Sequence, residues 1–129
     1  MALPSDLSLL AYLHDADCNS VCWDCFDHSA RRITLLARVD DDIDYEPWKG
    51  RNISLIHSDV VACRFIGWGI QFGRERIDSY REGISPALTA ECDRLRYSGI
   101  DIPPLSFTII FGSGSTIELV CRELAVEVD

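Results

Sequence analysis

A strict alternation of apolar side chains near the C-terminal end constrains the fold most. Apolar residues fill every second position from Leu105 to Phe111 and again from Ile117 to Cys121. A two-residue period is typical of a β-strand with one buried face. The intervening Gly112-Ser113-Gly114-Ser115 supplies residues that tolerate positive φ, as a tight turn requires. We therefore predict an antiparallel hairpin whose return strand continues through Leu124, Val126 and Val128.

The same period predicts further strands earlier in the chain. Val21–Phe26 and Arg31–Val39 alternate on either side of a turn at Asp27-His28-Ser29, which favours a second hairpin. The segments 52–58 and 60–66 are also strand-like, either as two strands around a tight turn or as one long bent strand. The stretch from Gly67 to Gly83 is rich in glycine and charge and follows neither period, so we predict a long loop there.

One segment carries a clear helix signal. Ser85 is a good N-cap, and Pro86 suits the first helical position. Leu88, Cys92 and Leu95 then share one face, and Gly99 follows the end. We predict a helix near residues 86–98 and a short helical segment over residues 6–13, where leucines recur at helical spacing.

These elements predict an α+β fold, mostly an antiparallel β-sheet of about six strands, with the 86–98 helix covering one face. The strand connections are too short for crossover helices, which excludes a parallel sheet. With 129 residues, 47% of them hydrophobic, the chain can form one core without disulfide or metal support. We expect a single domain over residues 1–129.

The charge distribution limits the classes of partner. The formal net charge is −9, and residues 1–46 hold ten acidic side chains against three arginines. Such a surface repels nucleic acid and anionic membrane, and it attracts proteins with a basic surface. No export signal or long apolar run is present, so we expect a cytoplasmic protein with reduced cysteines. Exposed strand edges permit a homodimer without requiring one.

The segment from Asp40 to Gly50 predicts an acidic surface loop. Its acids lack the order of an EF-hand, so we interpret it as solvated rather than as a calcium site. Aromatic side chains beside acids suit a protein interface, because rings bury area while charges steer association. An alternative is that the two aromatic side chains only close the loop onto the sheet. The candidate binding residues are Asp41, Asp42, Asp44, Tyr45, Glu46 and Trp48.

The stretch from Leu13 to His28 concentrates cysteine and histidine. Its Cys18-x-x-x-Cys22-x-x-Cys25 spacing resembles the iron–sulfur motif of radical SAM enzymes, which implies a cluster bound by three thiolates. That family has a much longer α/β chain and an aromatic residue where this chain has Asp24. In a strand, Cys22 and Cys25 point to opposite faces, so the three sulfurs cannot converge.

Two other chemical hypotheses use the same stretch. Cys18, Cys22, Cys25 and His28 could bind zinc, although structural zinc normally uses two separated ligand pairs. A cysteine could also serve as a nucleophile with His14 or His57. The simplest interpretation is that the cysteines are small buried hydrophobes, and that His14-Asp15 forms a turn with the imidazole bonded to the backbone.

Catalytic motifs are otherwise missing from the sequence. His57, Ser58 and Asp59 are consecutive, so a strand would point them to alternate faces and no triad would form. The chain lacks a nucleophile elbow, and its paired glycines do not match a phosphate-binding fingerprint. We therefore expect no cofactor and lean against catalytic activity.

Leu13-His14-Asp15-Ala16 carries a family resemblance. The chain resembles small uncharacterised bacterial domains that open with Leu-His-Asp-Ala, carry an Asp-Val pair like Asp59-Val60, and finish with a hairpin like that from Ile109 to Cys121. Some of these domains are thought to be immunity proteins of bacterial toxin systems. The resemblance implies a non-enzymatic protein that binds and blocks a partner. The alternative hypothesis is a metal-binding or thiol-dependent small enzyme centred on Cys18–His28.

Overall fold

Antiparallel strands dominate the fold of this chain. The computed structural model describes residues 7–27, 30–67 and 75–129, with the side chains of residues 24–27 and 30 left out. A 3₁₀ helix comes first, and one α-helix interrupts the strands. The elements are the 3₁₀ helix Leu7–Leu13, β1 Asp17–Asp27, β2 Ala30–Arg38, β3 Asn52–Ser58, β4 Ala62–Ile66, β5 Glu75–Glu82, α1 Pro86–Tyr97, β6 Leu105–Phe111, β7 Thr116–Cys121 and β8 Glu123–Val128.

The strands form one sheet in the order β4-β7-β6-β5-β1-β2-β3-β8, with every pair antiparallel. The two ends of this order meet, because β4 continues β3 and β8 continues β7. Val61 N donates to Val120 O at 2.9 Å, and Arg122 N donates to Ser58 O at 3.1 Å, so the two ladders join across the bend. The strands therefore form a closed ring around the core.

The class predicted from the sequence is confirmed, but the number of strands is wrong. The described sheet has eight strands rather than about six. The segment 123–128 is a separate strand, because the backbone breaks at Arg122 before it pairs with β3. The segments 52–58 and 62–66 are two separate strands, β3 and β4. The chain bends between them at Asp59, whose φ is 54°.

The predicted loop from Gly67 to Gly83 is also wrong over its second half, which forms β5. Ile77 and Tyr80 both face the core although they are three residues apart. A register shift between Ile77 and Ser79 inserts Asp78 as an extra residue, and such a bulge breaks the two-residue period. The sequence pattern therefore hides this strand. Residues 68–74, the first half of the predicted loop, lie outside the described residues.

The core fills the ring. Side chains that alternate along β2, β3, β6 and β7 point inward, and their apolar atoms are withdrawn from water, which supplies most of the favourable free energy of folding. The largest fully buried side chains include Phe107, Phe111, Ile33, Leu35 and Leu55. Leu10 and Leu13 of the 3₁₀ helix join the same cluster, which fixes the chain just ahead of β1.

The α-helix lies outside the ring. Its observed bounds, Pro86–Tyr97, confirm the predicted helix, with Ser85 Oγ accepting a hydrogen bond from Leu88 N at 3.4 Å as the N-cap. Leu88 and Cys92 pack on Val120 of β7, in a cluster separate from the main core. Neither helix in the described part of the chain is long and apolar enough to cross a lipid bilayer.

Candidate functional site

An acidic cleft of about 350 Å³ opens at one end of the ring. It lies where the chain enters β1, leaves β2 and begins β5. Four carboxylates and two guanidinium groups line it, with a single apolar side chain between them. The lining residues, which we refer to as the acidic cleft, are Asp15, Asp17, Arg38, Val39, Asp40, Asp41 and Arg76.

The first wall of the cleft is the turn that leads into β1. Asp15 has a φ of 68°, a conformation that aspartate tolerates better than most residues. Asp15 N donates to Ile77 O, and Ile77 N donates to Ala16 O, both at 2.8 Å, so the turn is bonded to β5. His14 Nδ1 donates to Asp78 O, which confirms the predicted turn with its imidazole bonded to the backbone. These bonds hold the Asp15 carboxylate at the cleft.

The second wall is the start of the acidic loop after β2. Asp40 Oδ1 accepts a hydrogen bond from Asp42 N at 3.1 Å, and Asp40 O accepts one from Gly50 N at 3.3 Å. Gly50 has a φ of 63°, and a Cβ at this position would lie 2.3 Å from Asp41 Oδ1. The left-handed backbone at Gly50 favours glycine, and a Cβ there would push the flexible Asp41 carboxylate aside.

The carboxylates of the cleft outnumber the cations. Arg76 Nε lies 3.5 Å from Asp15 Oδ1, and Arg38 Nη2 lies 3.5 Å from Asp41 Oδ1. Among the described residues, Asp17 and Asp40 have no ion-pair partner within 4.0 Å. The two ion pairs are largely solvent-exposed, and pairs of this kind contribute only about 0–1 kcal/mol. Both arginines can therefore turn aside at little cost when another cation approaches.

An aromatic cluster supports the loop beside the cleft. The Tyr12 and Tyr45 rings stack with centroids 5.6 Å apart, and Tyr45 meets Trp48 edge-on at 5.3 Å. Trp48 is 4% exposed and belongs to the main core, so it anchors the loop from inside. Tyr12 and Tyr45 are half-buried and keep part of their surface in solvent.

The structure brings together some of the predicted binding residues. Asp41 lines the cleft, whereas Asp42, Asp44 and Glu46 are exposed farther along the loop. Sequence analysis missed the contributions of Asp17, Arg38 and Arg76. These residues meet because Asp17 lies directly opposite Arg38 in the β1–β2 ladder and opposite Arg76 in the β1–β5 ladder, a long-range register that no local sequence pattern predicts.

Of the cysteines in the stretch from Leu13 to His28, the structure describes the side chains of Cys18 and Cys22, and these two sulfurs do not come together. Cys18 is buried and Cys22 is exposed, because a register shift between Cys18 and Ser20 turns the two side chains to opposite faces of β1. The side chains of Cys25 and His28 lie outside the described part of the chain. Across the described residues, no group of three His, Cys, Asp or Glu side chains is arranged to hold a metal ion.

The thiols and His57 are also poorly placed for nucleophilic chemistry. Burial raises the pKa of both Cys18 and Cys121 to about 12, so neither thiol ionises near neutral pH. His57 is fully buried, and both of its ring nitrogens are engaged, one with Ile33 O and one with the Tyr80 hydroxyl.

Comparison with known proteins identifies no relative: no family model, no curated protein and no solved structure matches this chain.

Proposed function

We propose that this chain is a non-enzymatic interaction domain, of the immunity type, whose acidic cleft and adjoining acidic loop bind a basic surface of a partner protein. The observation that carries the proposal is the excess of carboxylates in the acidic cleft, four against two guanidinium groups. The net charge of −9 adds a long-range field that steers a cationic partner toward the molecule.

Arginine is the side chain best suited to enter the cleft. Its guanidinium can donate paired hydrogen bonds to a carboxylate, and Asp17 and Asp40 form no ion pair within 4.0 Å among the described residues. Backbone bonds to β5 and Gly50 hold the two walls, so little conformational entropy is lost when a partner binds. The partly exposed rings of Tyr12 and Tyr45 stack beside the acidic loop and add aromatic surface that a partner bound to the loop can contact.

A charge-matched pair of variants tests the location of the site. The cleft variant is D17N/D40N/D41N, and the control is D101N/E123Q/E127Q, which removes three exposed acids elsewhere. Both change the net charge by the same amount. We expect the cleft variant to weaken binding of a nona-arginine peptide at least about tenfold more than the control, by calorimetry at low ionic strength, because tenfold is about 1.4 kcal/mol and each lost charge-assisted bond costs about 1 kcal/mol or more.

Equal losses in both variants would show that the peptide senses net charge only, and the acidic cleft would then not be the site. A loop variant, D42N/D44N/E46Q, removes three exposed acids that lie outside the cleft and so separates the loop from the cleft. For the immunity role, the same variants are co-expressed with the protein encoded by the adjacent gene. We expect the native chain and the control to relieve its toxicity and the cleft variant to fail. Relief by all three would contradict the proposal.

A further inference from the structure

The segment between β5 and β6 has an unusual place in the topology. Residues 84–104, which we name the α1 excursion, leave β5 and return to its direct neighbour. Glu82 pairs with Phe107, and Gly83 N donates to Ser106 O at 2.9 Å, so the two strands are already joined where the excursion begins. The α1 excursion is thus an enlarged hairpin loop. The hydrogen bonds between β5 and β6 do not depend on where the excursion lies.

Few side chains attach the α1 excursion to the sheet. Within α1, Leu88 and Cys92 are the buried residues, and they meet Val120 on the outer face of β7. Val61, Ala62, Ile84 and Ile102 complete this small cluster at its margin. It is separate from the main core inside the ring. Loss of its contacts therefore leaves the core packing intact.

A single buried carboxylate fastens the start of the helix. Glu118 of β7 is 2% exposed and accepts hydrogen bonds from both the backbone N and the Oγ of Ser85, the latter at 3.0 Å. Arg64 of β4 approaches Glu118 Oε2 to 3.7 Å from the solvent side. A carboxylate at this position also interacts favourably with the helix dipole.

Glycines lie near both ends of the helix. Gly83 has a φ of 101° and Gly99 a φ of 87°, and a Cβ at either position would meet no atom within 4 Å. Thr108 Oγ1 donates to Gly83 O at 2.6 Å, which keeps Gly83 on β6 while the chain beyond it turns away. Gly83 lies where the excursion leaves β5, so the backbone can rotate there without a steric clash, whereas Gly99 ends α1, with its N donating to Arg96 O at 2.9 Å, and moves with the excursion.

We propose that the α1 excursion is a hinged cover that lifts from the outer face of β4 and β7 as one unit while the ring of strands stays intact. Lifting breaks the bonds between Ser85 and Glu118 and brings Val120, Ala62 and the Cys92 thiol into contact with solvent. The cover gates access to one face of the molecule and to one thiol.

The cysteines report this motion without any added label. Cys22 is exposed, Cys92 is buried between α1 and β7 in the small outer cluster, and Cys121 is buried in the main core. The native protein is alkylated with N-ethylmaleimide, and each cysteine is followed by peptide mass spectrometry against its rate in the denatured chain. We expect Cys22 to react first, Cys92 next at a rate almost independent of low urea, and Cys121 last at a rate that rises steeply with urea.

Substitution of the fastening carboxylate sharpens the test. Glu118→Gln removes the charge, and we expect about a tenfold faster reaction of Cys92 with less than a twofold change at Cys121. Glu123→Gln, an exposed carboxylate on β8, is the matched control and should leave both rates unchanged. If Glu118→Gln fails to fold, amide hydrogen exchange of α1 against β6 in the native protein gives the same comparison. Equal rates and equal urea dependence for Cys92 and Cys121 would overturn the proposal.

Discussion

His57 illustrates how the interior of the ring fixes one polar side chain. Its Nδ1 donates to Ile33 O at 2.9 Å, so the neutral ring leaves Nε2 to accept the hydrogen bond from the Tyr80 hydroxyl. Phe107 contacts both rings. Burial lowers the pKa of His57 from 6.5 to about 4, because the imidazolium cannot be hydrated there. The residue is a structural element of the core.

The lowered pKa of His57 predicts a pH dependence of stability. Between about pH 6.5 and pH 4 the unfolded chain binds a proton at His57 that the folded chain excludes. The free energy of unfolding should therefore fall as the pH drops through this window, by on the order of 2–3 kcal/mol from this residue. Urea denaturation at pH 7.5 and pH 5 measures the effect. His57→Gln should reduce the difference between the two pH values, and an unchanged difference would contradict this assignment.

At the scale of elements, strands and helices whose apolar residues keep an unbroken period could be predicted from the sequence. Strands whose period is interrupted by a bulge could not. The strand Asn52–Ser58 and the helix Pro86–Tyr97 follow their patterns, and both predictions are confirmed. β5 was missed because the bulge at Asp78 shifts its inward positions, and its charged residues face solvent. The opposite orientations of Cys18 and Cys22 were hidden for the same reason, by a bulge in β1. Bulges depend on the partner strand, so a single strand's sequence does not reveal them.

The acidic loop depends on one glycine. Gly50→Ala requires a left-handed backbone, so we expect a loss of about 1–2 kcal/mol in stability, and its Cβ displaces the flexible Asp41 carboxylate from its place in the cleft. Gly114→Ala is the matched control, because its φ of 91° imposes similar backbone strain in open space. Thermal unfolding compares the two variants, and calorimetry with the nona-arginine peptide shows whether only Gly50→Ala weakens binding. Equal binding by both variants would show that the loop conformation does not shape the acidic cleft.

At the scale of the whole molecule, closure of the ring creates the acidic cleft. Asp17 and Arg76 are far apart in sequence and meet through the short ladder between β1 and β5. The sequence predicted an acidic loop containing Asp41, but it could not place Asp15 and Asp17 beside that loop, since their position depends on this long-range pairing. The α1 excursion lies on the outer face of β4 and β7, elements that contribute no residue to the acidic cleft.

The most direct test of the proposed function maps the contact surface residue by residue. The ¹⁵N-labelled chain is titrated with the nona-arginine peptide, and amide chemical shifts are recorded at low and at physiological ionic strength. We predict that the largest changes fall on residues 15–17, 38–44 and 76, and that they shrink at higher salt as exposed charges are screened. Changes concentrated on residues 86–104 or 123–128, with the cleft residues unmoved, would contradict the acidic cleft as the binding site.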